Sequence, residues 1–162
     1  MNRIRRKHIL AVDDELFSRR VIAQSLEREF CVTSVSEPGD ALSILSAMGG
    51  LVDLVVCDLH LGPQASEKQS GLDILQAVRA GTTGCRRDLP FILLTADGRR
   101  EAGRLAAALH VDSYLVKPVR HDDLRDAVIK LIGVQKIRVA GAGRYAQVAT
   151  SVSPVDPSAP AG

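Results

Sequence analysis

The stretch LVDLVVCDL, residues 51–59, shows the pattern on which the fold depends, because an apolar run, Leu51–Cys57, ends directly in an acidic residue, Asp58. The chain has five such apolar runs, each four to seven residues long, and the other four are Ile9–Val12, Cys31–Val35, Phe91–Thr95 and Ser113–Val116. Each run is bounded by polar residues, Gly or Pro, and most are rich in β-branched residues. Short bounded runs of this kind predict five buried strands.

The stretches between these runs are amphipathic and have the spacing of helices. The first carries one apolar helix face, made of Phe17, Val21, Ile22, Ser25 and Leu26. The second and third follow Pro38-Gly39-Asp40 and Ser70-Gly71, the fourth covers Gly98–His110, and the fifth closes at Gly133. Alternating strands and helices predict an α/β fold, a doubly wound parallel sheet of five strands flanked by five helices.

The composition fits one globular domain. Of 162 residues, 46% are hydrophobic and 3% are aromatic, which supports a core but not a base-stacking surface for nucleic acid. Residues 1–133 hold 18 basic and 18 acidic residues, so the net charge of +2 comes from residues 134–162. The folded part therefore has no basic field that would attract nucleic acid directly. No apolar run approaches the roughly 20 residues of a membrane span, so no membrane partner is expected.

The three cysteines indicate a reducing compartment. Cys31, Cys57 and Cys85 are odd in number and form no CxxC motif, so neither a disulfide framework nor a zinc module is expected. Cys57 lies inside an apolar run and is interpreted as a small buried hydrophobe. Acidic residues 13–15 interrupt the first apolar stretch and exclude a secretory signal. We therefore expect a cytoplasmic protein.

The two ends of the chain depart from the alternating pattern. The basic residues Arg3, Arg5, Arg6 and Lys7 are interpreted as a solvated N-terminus. Residues 134–162 are rich in Gly, Pro, Ser and Ala and predict a largely disordered tail or linker, in which 134–146 are ambiguous. The folded domain is thus placed at residues 7–133. Residues 141–146 match the dinucleotide pattern GxGxxA, but only 16 residues follow, too few for a cofactor-binding unit.

Reactive side chains follow four of the five predicted strands. Asp13 and Asp14 follow the first, Asp58 the third, Thr95 ends the fourth and Lys117 follows the fifth. If these strands lie side by side, their carboxyl ends bring the five side chains together. Crowded carboxylates need neutralisation, and Mg²⁺ is a hard cation that oxygen ligands bind. With the ammonium and hydroxyl groups, the set predicts phosphoryl transfer to Asp58 as the nucleophile. Ordinary turn residues would not account for four strand ends at once.

These residues resemble the receiver domain of two-component response regulators over about residues 7–133. The resemblance rests on five features, which are Asp13-Asp14 with Glu15, Asp58, Thr95-Ala96, Tyr114 and Lys117-Pro118. It implies a flavodoxin-like sheet with strand order 2-1-3-4-5. It also implies Mg²⁺ as cofactor, and a phosphoryl group received from a histidine kinase or histidine phosphotransfer protein.

The resemblance also implies roles for individual residues. The metal would be held by Asp13, Asp14 and Asp58, with the backbone of Leu59 or His60. Lys117 would contact the phosphoryl group on Asp58. Thr95 and Tyr114 would form the switch pair, and Pro118 would follow a cis peptide bond.

Two departures from the receiver pattern lie just after Asp58. Receivers have a glycine eight positions after the acceptor, whereas the matching Gly71 lies 13 positions on, so the segment Gln64–Ser70 contains an insertion of about five polar residues. This segment is a lid, a partner contact or a tolerated loop. The second departure is His60, which either tunes the water that removes the phosphoryl group or is a bystander at the rim.

The leading prediction is a phosphorylatable switch that signals through its protein-binding surface to an unknown output protein. No DNA-binding output domain is expected, since the stretch after Gly133 is too short for one. One alternative is a phosphatase or phosphotransferase of the aspartate-nucleophile class, which needs a second acid where this chain has His60. The other is a scaffold that is not phosphorylated. Whether the chain forms a homodimer, whether it is part of a longer protein, and whether the fourth helix contributes an output face stay open.

Overall fold

The computed structural model describes residues 5–62, 70–96, 107 and 110–134, together with the backbone of two short strands at 136–138 and 145–147. Five strands form one parallel sheet in the order β2-β1-β3-β4-β5. They are β1 (His8–Val12), β2 (Cys31–Val35), β3 (Leu54–Asp58), β4 (Phe91–Thr95) and β5 (Ser113–Val116). The predicted fold class and strand order are confirmed.

Four helices are described, and they cover both faces of the sheet. They are α1 (Leu16–Leu26), α2 (Pro38–Met48), α3 (Gly71–Ala80) and α4 (His121–Ile132). Side chains of α2 and α3 pack with one face of the strands, and side chains of α1 and α4 pack with the other. The predicted helix at 98–110 lies almost wholly outside the described residues. Gly133 closes α4 as predicted, because it is the C-cap residue and its N–H donates to the Ile129 carbonyl (2.7 Å).

The three central strands are completely buried, but the two edge strands are not. Every residue of β1, β3 and β4 is buried, which explains their unbroken apolar runs. The prediction of buried strands is wrong for β2 and β5, which pair on one side only and leave Cys31 and Tyr114 exposed. Cys57 is fully buried, and this burial is the main reason why the pKa of its thiol is raised well above the usual range. Its interpretation as a buried hydrophobe is confirmed.

Two sequence-based boundaries need correction. The third strand begins at Leu54 and not at Leu51, because Asp53 interrupts the run and its carboxylate accepts the N–H of His8 (2.7 Å). The predicted apolar face of α1 is buried at Ile22 and Leu26 but not at Phe17, whose exposed fraction is 73%. Phe17 lies in the first turn of α1, where the helix follows the carboxyl end of β1.

The basic N-terminal segment is more than a solvated end. The guanidinium of Arg6 donates to the carbonyl of Glu27, the C-cap residue of α1. Lys7 Nζ donates to the carbonyl of Ile132, the last residue of α4 (2.7 Å). Arg5 donates to Leu51 O (3.1 Å), three residues beyond the end of α2, and forms an ion pair with Asp53. Arg3 lies outside the described residues.

The predicted tail contains one short element in its described part. Lys136–Arg138 and Tyr145–Gln147 pair as antiparallel strands β6 and β7. The rest of 134–162, apart from Val134, lies outside the described residues, so the disordered tail and the domain boundary stay predictions. Within the described ranges, no helix is both long and apolar enough to cross a membrane.

Candidate functional site

The sheet brings the predicted site residues together at its carboxyl edge. Strand register places Val12 beside Cys57, so that Asp13 and Asp58 follow at the same level. Asp58 in turn pairs with Leu94, next to Thr95. Because parallel strands end on the same side, the side chains that follow them share one edge.

The ammonium group of Lys117 lies between two carboxylates. Its Nζ is 2.8 Å from Asp13 Oδ2 and 2.6 Å from Asp58 Oδ2. The Asp13 side chain is fully buried and that of Asp58 is 9% exposed, so both contacts are charge-assisted hydrogen bonds largely out of water. The backbone N–H of Lys117 donates to the Thr95 carbonyl (2.8 Å), which continues the pairing of β5 with β4 and brings Lys117 to this position.

The three consecutive acids after β1 have different surroundings. Asp13 Oδ1 accepts the Glu15 N–H (2.9 Å), which turns the buried carboxylate toward Lys117. Asp14 is exposed, and its Oδ2 accepts the Gly62 N–H (3.1 Å). The Glu15 carboxylate accepts the hydroxyl of Ser18 (2.8 Å). Of these three acids, only Asp13 and Asp14 therefore share a site with Asp58.

These three aspartates are suited to a hard cation. One carboxylate oxygen from each of Asp13, Asp14 and Asp58 lies within 4.8 Å of the others. Among the described residues this is the one group of acids, histidines or cysteines that could hold a metal ion. Lys117 supplies a single positive charge against three carboxylates. The oxygen donors and the uncompensated negative charge together fit Mg²⁺.

The pKa values in the site follow from burial opposed by pairing. Burial raises the pKa of Asp13, and hydrogen bonds from Lys117 and the Glu15 N–H reduce the rise without cancelling it. Burial lowers the pKa of Lys117, but its bonds to Asp13 and Asp58 outweigh this effect and leave the pKa raised. Lys117 consequently stays a cation near neutral pH.

The loop after Asp58 is tied to the site through its backbone. The His60 N–H donates to Asp58 Oδ1 (3.2 Å), while the His60 side chain is exposed and is not part of the acidic group. Any part of His60 in metal binding therefore falls to its backbone. The Gly62 N–H donates to Asp14, and Gly62 has a φ of 103°. The predicted insertion at 64–70 lies outside the described residues except for Ser70.

Gly71 packs directly against the acceptor residue. A Cβ built on Gly71 would be 2.2 Å from the Asp58 carbonyl oxygen and 3.0 Å from Cys57 Sγ. Ser70 caps the helix that Gly71 begins, in a capping box with Asp73. The contact explains why a glycine stands here in spite of the longer loop before it.

The predicted switch residues lie on one face of the sheet. Thr95 is fully buried and pairs in register with Val116. Tyr114 lies two residues before Val116 and so shares its face, and 40% of Tyr114 is exposed. The Lys117–Pro118 peptide bond is cis, as the resemblance implies.

Sequence reasoning missed one side chain of the site, that of Arg19. Its Nη1 donates to the main-chain carbonyl of Asp13 (2.7 Å). No local pattern marks this contact, because an arginine on the first turns of a helix is an ordinary surface residue.

Comparisons with known proteins agree on one family. The family model described as response regulator receiver domain matches residues 9–129. The chemotaxis protein CheY of Pseudomonas aeruginosa is 32% identical over 124 residues, which are 76% of this chain and 94% of that protein. The rice two-component response regulator ORR22 (Oryza sativa) is 31% identical over 119 residues, which are 73% of this chain but only 16% of that protein.

Solved structures give the same result. A response regulator receiver domain protein from Clostridium thermocellum superposes with a TM-score of 0.66 at 28% identity, covering 77% of this chain and 93% of that one. CheY4 of Vibrio cholerae superposes with a TM-score of 0.67 at 20% identity, over 78% of this chain and 99% of that one, which bears on the fold alone.

Proposed function

This chain belongs to the response regulator receiver domain family, and from that premise we propose that Asp58 accepts a phosphoryl group and that the protein acts as a phosphorylation-dependent switch. Receiver domains are signalling switches and not conventional enzymes. The observation that carries the proposal is the Lys117 ammonium between Asp13 and Asp58, with Asp14 beside them.

The proposed chemistry assigns a task to each group. Asp58 Oδ1 or Oδ2 attacks phosphorus, the new O–P bond forms, and the bond from phosphorus to the donor's nitrogen or oxygen breaks. Lys117 offsets the negative charge that gathers on the phosphoryl oxygens. Burial of Asp13 and Asp58 keeps water away, which strengthens these interactions.

The residues that would hold Mg²⁺ are Asp13, Asp14 and Asp58, with the backbone of Leu59 or His60. When bound, the ion neutralises the carboxylates and the phosphoryl oxygens. Asp13 is held so that one oxygen faces Lys117 and the other accepts the Glu15 N–H, whereas Asp14 is exposed and can turn toward an ion.

Thr95 and Tyr114 are proposed to transmit the change. A phosphoryl oxygen on Asp58 is a strong acceptor that would draw the Thr95 hydroxyl toward it. Tyr114, on the same face and partly exposed, would then change rotamer. One buried contact would thereby alter the exposed surface at β5.

The proposed partners follow from the family. The phosphodonor would be a histidine kinase or a histidine phosphotransfer protein, and the output is a protein contact. The chain spans only about a sixth of the rice relative. For this chain, the output partner, homodimer formation and a cytoplasmic location belong to the same proposal.

Phosphorylation with a small donor tests the proposal. Incubation with acetyl phosphate and Mg²⁺ should add one phosphoryl group by intact-protein mass spectrometry, and Asp58→Asn should abolish it. Asp126→Asn is the matched control, because Asp126 is 76% exposed on α4 and does not belong to the group of three aspartates. Equal labelling of Asp58→Asn would place the acceptor elsewhere, and turnover of many phosphodonors would indicate an enzyme. No labelling of the wild type would indicate a scaffold.

A further inference from the structure

Arg19 holds the peptide that joins the two acids of the site. Its Nη1 donates to the Asp13 carbonyl oxygen at 2.7 Å, and that carbonyl belongs to the Asp13–Asp14 peptide. The backbone N–H of Arg19 donates to the Glu15 carbonyl (3.1 Å), so the side chain projects from the start of α1 back over the acidic turn.

The position of Arg19 is electrostatically unfavourable unless the acids compensate for it. The N-terminal end of a helix carries partial positive charge, which disfavours a cation in its first turns. Arg20 on the same helix is exposed and makes no hydrogen bond with its side chain among the described residues. Arg19 differs in being half-buried and in having a specific acceptor next to three carboxylates.

Arg19 contacts a carbonyl and leaves the carboxylates available. Asp13 is fixed at four points. Its N–H donates to Val35 O (3.2 Å), its Oδ1 accepts from the Glu15 N–H, its Oδ2 accepts from Lys117 and its carbonyl accepts from Arg19. Two of these contacts come from backbone groups and a third from Lys117, which has its own role in the site, so Arg19 supplies the one that a substitution removes without altering a proposed site residue. An arginine bound to a carboxylate would compete with a cation, whereas this one orients the peptide and occupies no carboxylate oxygen.

We propose that Arg19 is a positioning residue that orients the Asp13–Asp14 pair for a divalent cation. The inference rests on the proposed function, because it needs the acids to bind Mg²⁺. Groups that orient metal ligands commonly change metal affinity by about 10- to 100-fold when they are removed. Loss of a nearby positive charge alone would act in the opposite direction and tighten binding.

Magnesium affinity of substituted proteins separates the two effects. Mg²⁺ is titrated into the full chain while the amide shifts of Asp14 and Glu15 are followed by NMR. We expect Arg19→Met and Arg19→Gln to weaken binding by about 10-fold. Arg19→Lys should retain most of the affinity, since an ammonium can also donate to the carbonyl. Arg20→Met, which removes the same charge one residue away, should leave the affinity unchanged or slightly higher.

The outcomes are distinct. Wild-type or tighter Mg²⁺ binding by both Arg19→Met and Arg19→Gln overturns the positioning role, as does equal weakening by Arg20→Met. Urea unfolding of each variant shows whether a loss of affinity accompanies a loss of stability, and weakened binding at unchanged stability supports the proposal. If the wild type itself does not bind Mg²⁺, the metal part of the proposed function fails, and that result is separate from the Arg19 comparison.

Discussion

The contact between Gly71 and Asp58 makes replacement of this glycine costly. In Gly71→Ala the new Cβ would be 2.2 Å from the Asp58 carbonyl oxygen, whereas ordinary contacts begin at 3.4 Å. The start of α3 would have to move by roughly 1 Å within a close-packed interior. The hydrogen bond from the Gly71 N–H to the Leu59 carbonyl (3.0 Å) would weaken as it moved.

The expected magnitude is a net destabilisation of about 1 to 4 kcal/mol. Overpacking of a core costs about 1–3 kcal/mol or somewhat more, and a weakened backbone hydrogen bond adds about 1 kcal/mol. The better helix propensity of alanine returns up to about 1 kcal/mol. Urea unfolding at neutral pH measures the difference from the shift in midpoint.

Gly39→Ala is the matched control for this prediction. Gly39 lies in the first turn of α2, and a Cβ there would have no atom within 4 Å. The control should therefore be neutral or stabilised by up to about 1 kcal/mol. If Gly71→Ala is as stable as the wild type, the close approach of α3 to the Asp58 carbonyl does not exist in solution.

Three further predictions concern other parts of the fold. Lys7→Met should destabilise the protein by about 1–2 kcal/mol, because the last carbonyl of α4 loses a cationic donor, whereas the exposed Lys130→Met should stay within about 0.5 kcal/mol in the same urea assay. Burial lowers the pKa of His8 more than Asp53 raises it. The folded-state pKa of His8 therefore lies below the unfolded-state value, so the contribution of neutral His8 to stability is complete above about pH 6.5 and is lost as the pH falls. His8→Gln should flatten the pH profile of the unfolding free energy below about pH 6.5. An unchanged profile would contradict the lowered pKa. Thr95→Ala should still accept a phosphoryl group, but beryllium fluoride should no longer shift the NMR signals of β5, and wild-type shifts in this variant would disprove the coupling.

The sequence predicted which side chains meet at the carboxyl end of the sheet better than it predicted the exposure of the outer strands. Asp58 and Lys117 were identified because each follows an apolar strand, and parallel strands end on one side by geometry. The order of the strands came from the resemblance and not from periodicity, which carries no information on which strands are neighbours. The edge strand β2 contains Thr33 and Ser34 and is less apolar than the central strands, a signal of its exposure that the prediction of five buried strands did not use.

Contacts from side chains to distant carbonyls were not predictable. Every residue offers a carbonyl, so the sequence does not mark the acceptor of Arg19 or of Lys7. The sequence predicted only that Gly71 matches the receiver glycine after a longer loop, and it did not predict the contact of Gly71 with Asp58. Its physical reason, the approach of α3 to the Asp58 carbonyl, required the packed structure.

The basic segment before β1 has a consequence for the order in which the chain is synthesised. Arg5, Arg6 and Lys7 are synthesised before the carbonyls that they bind, which lie 46, 21 and 125 residues later. At typical elongation rates of roughly 5–20 residues per second, Lys7 waits about 6 to 25 s for Ile132. During translation the end of α4 is therefore the last of these acceptors to arrive, and a nascent chain halted before it keeps the Lys7 ammonium exposed to solvent and to chaperones.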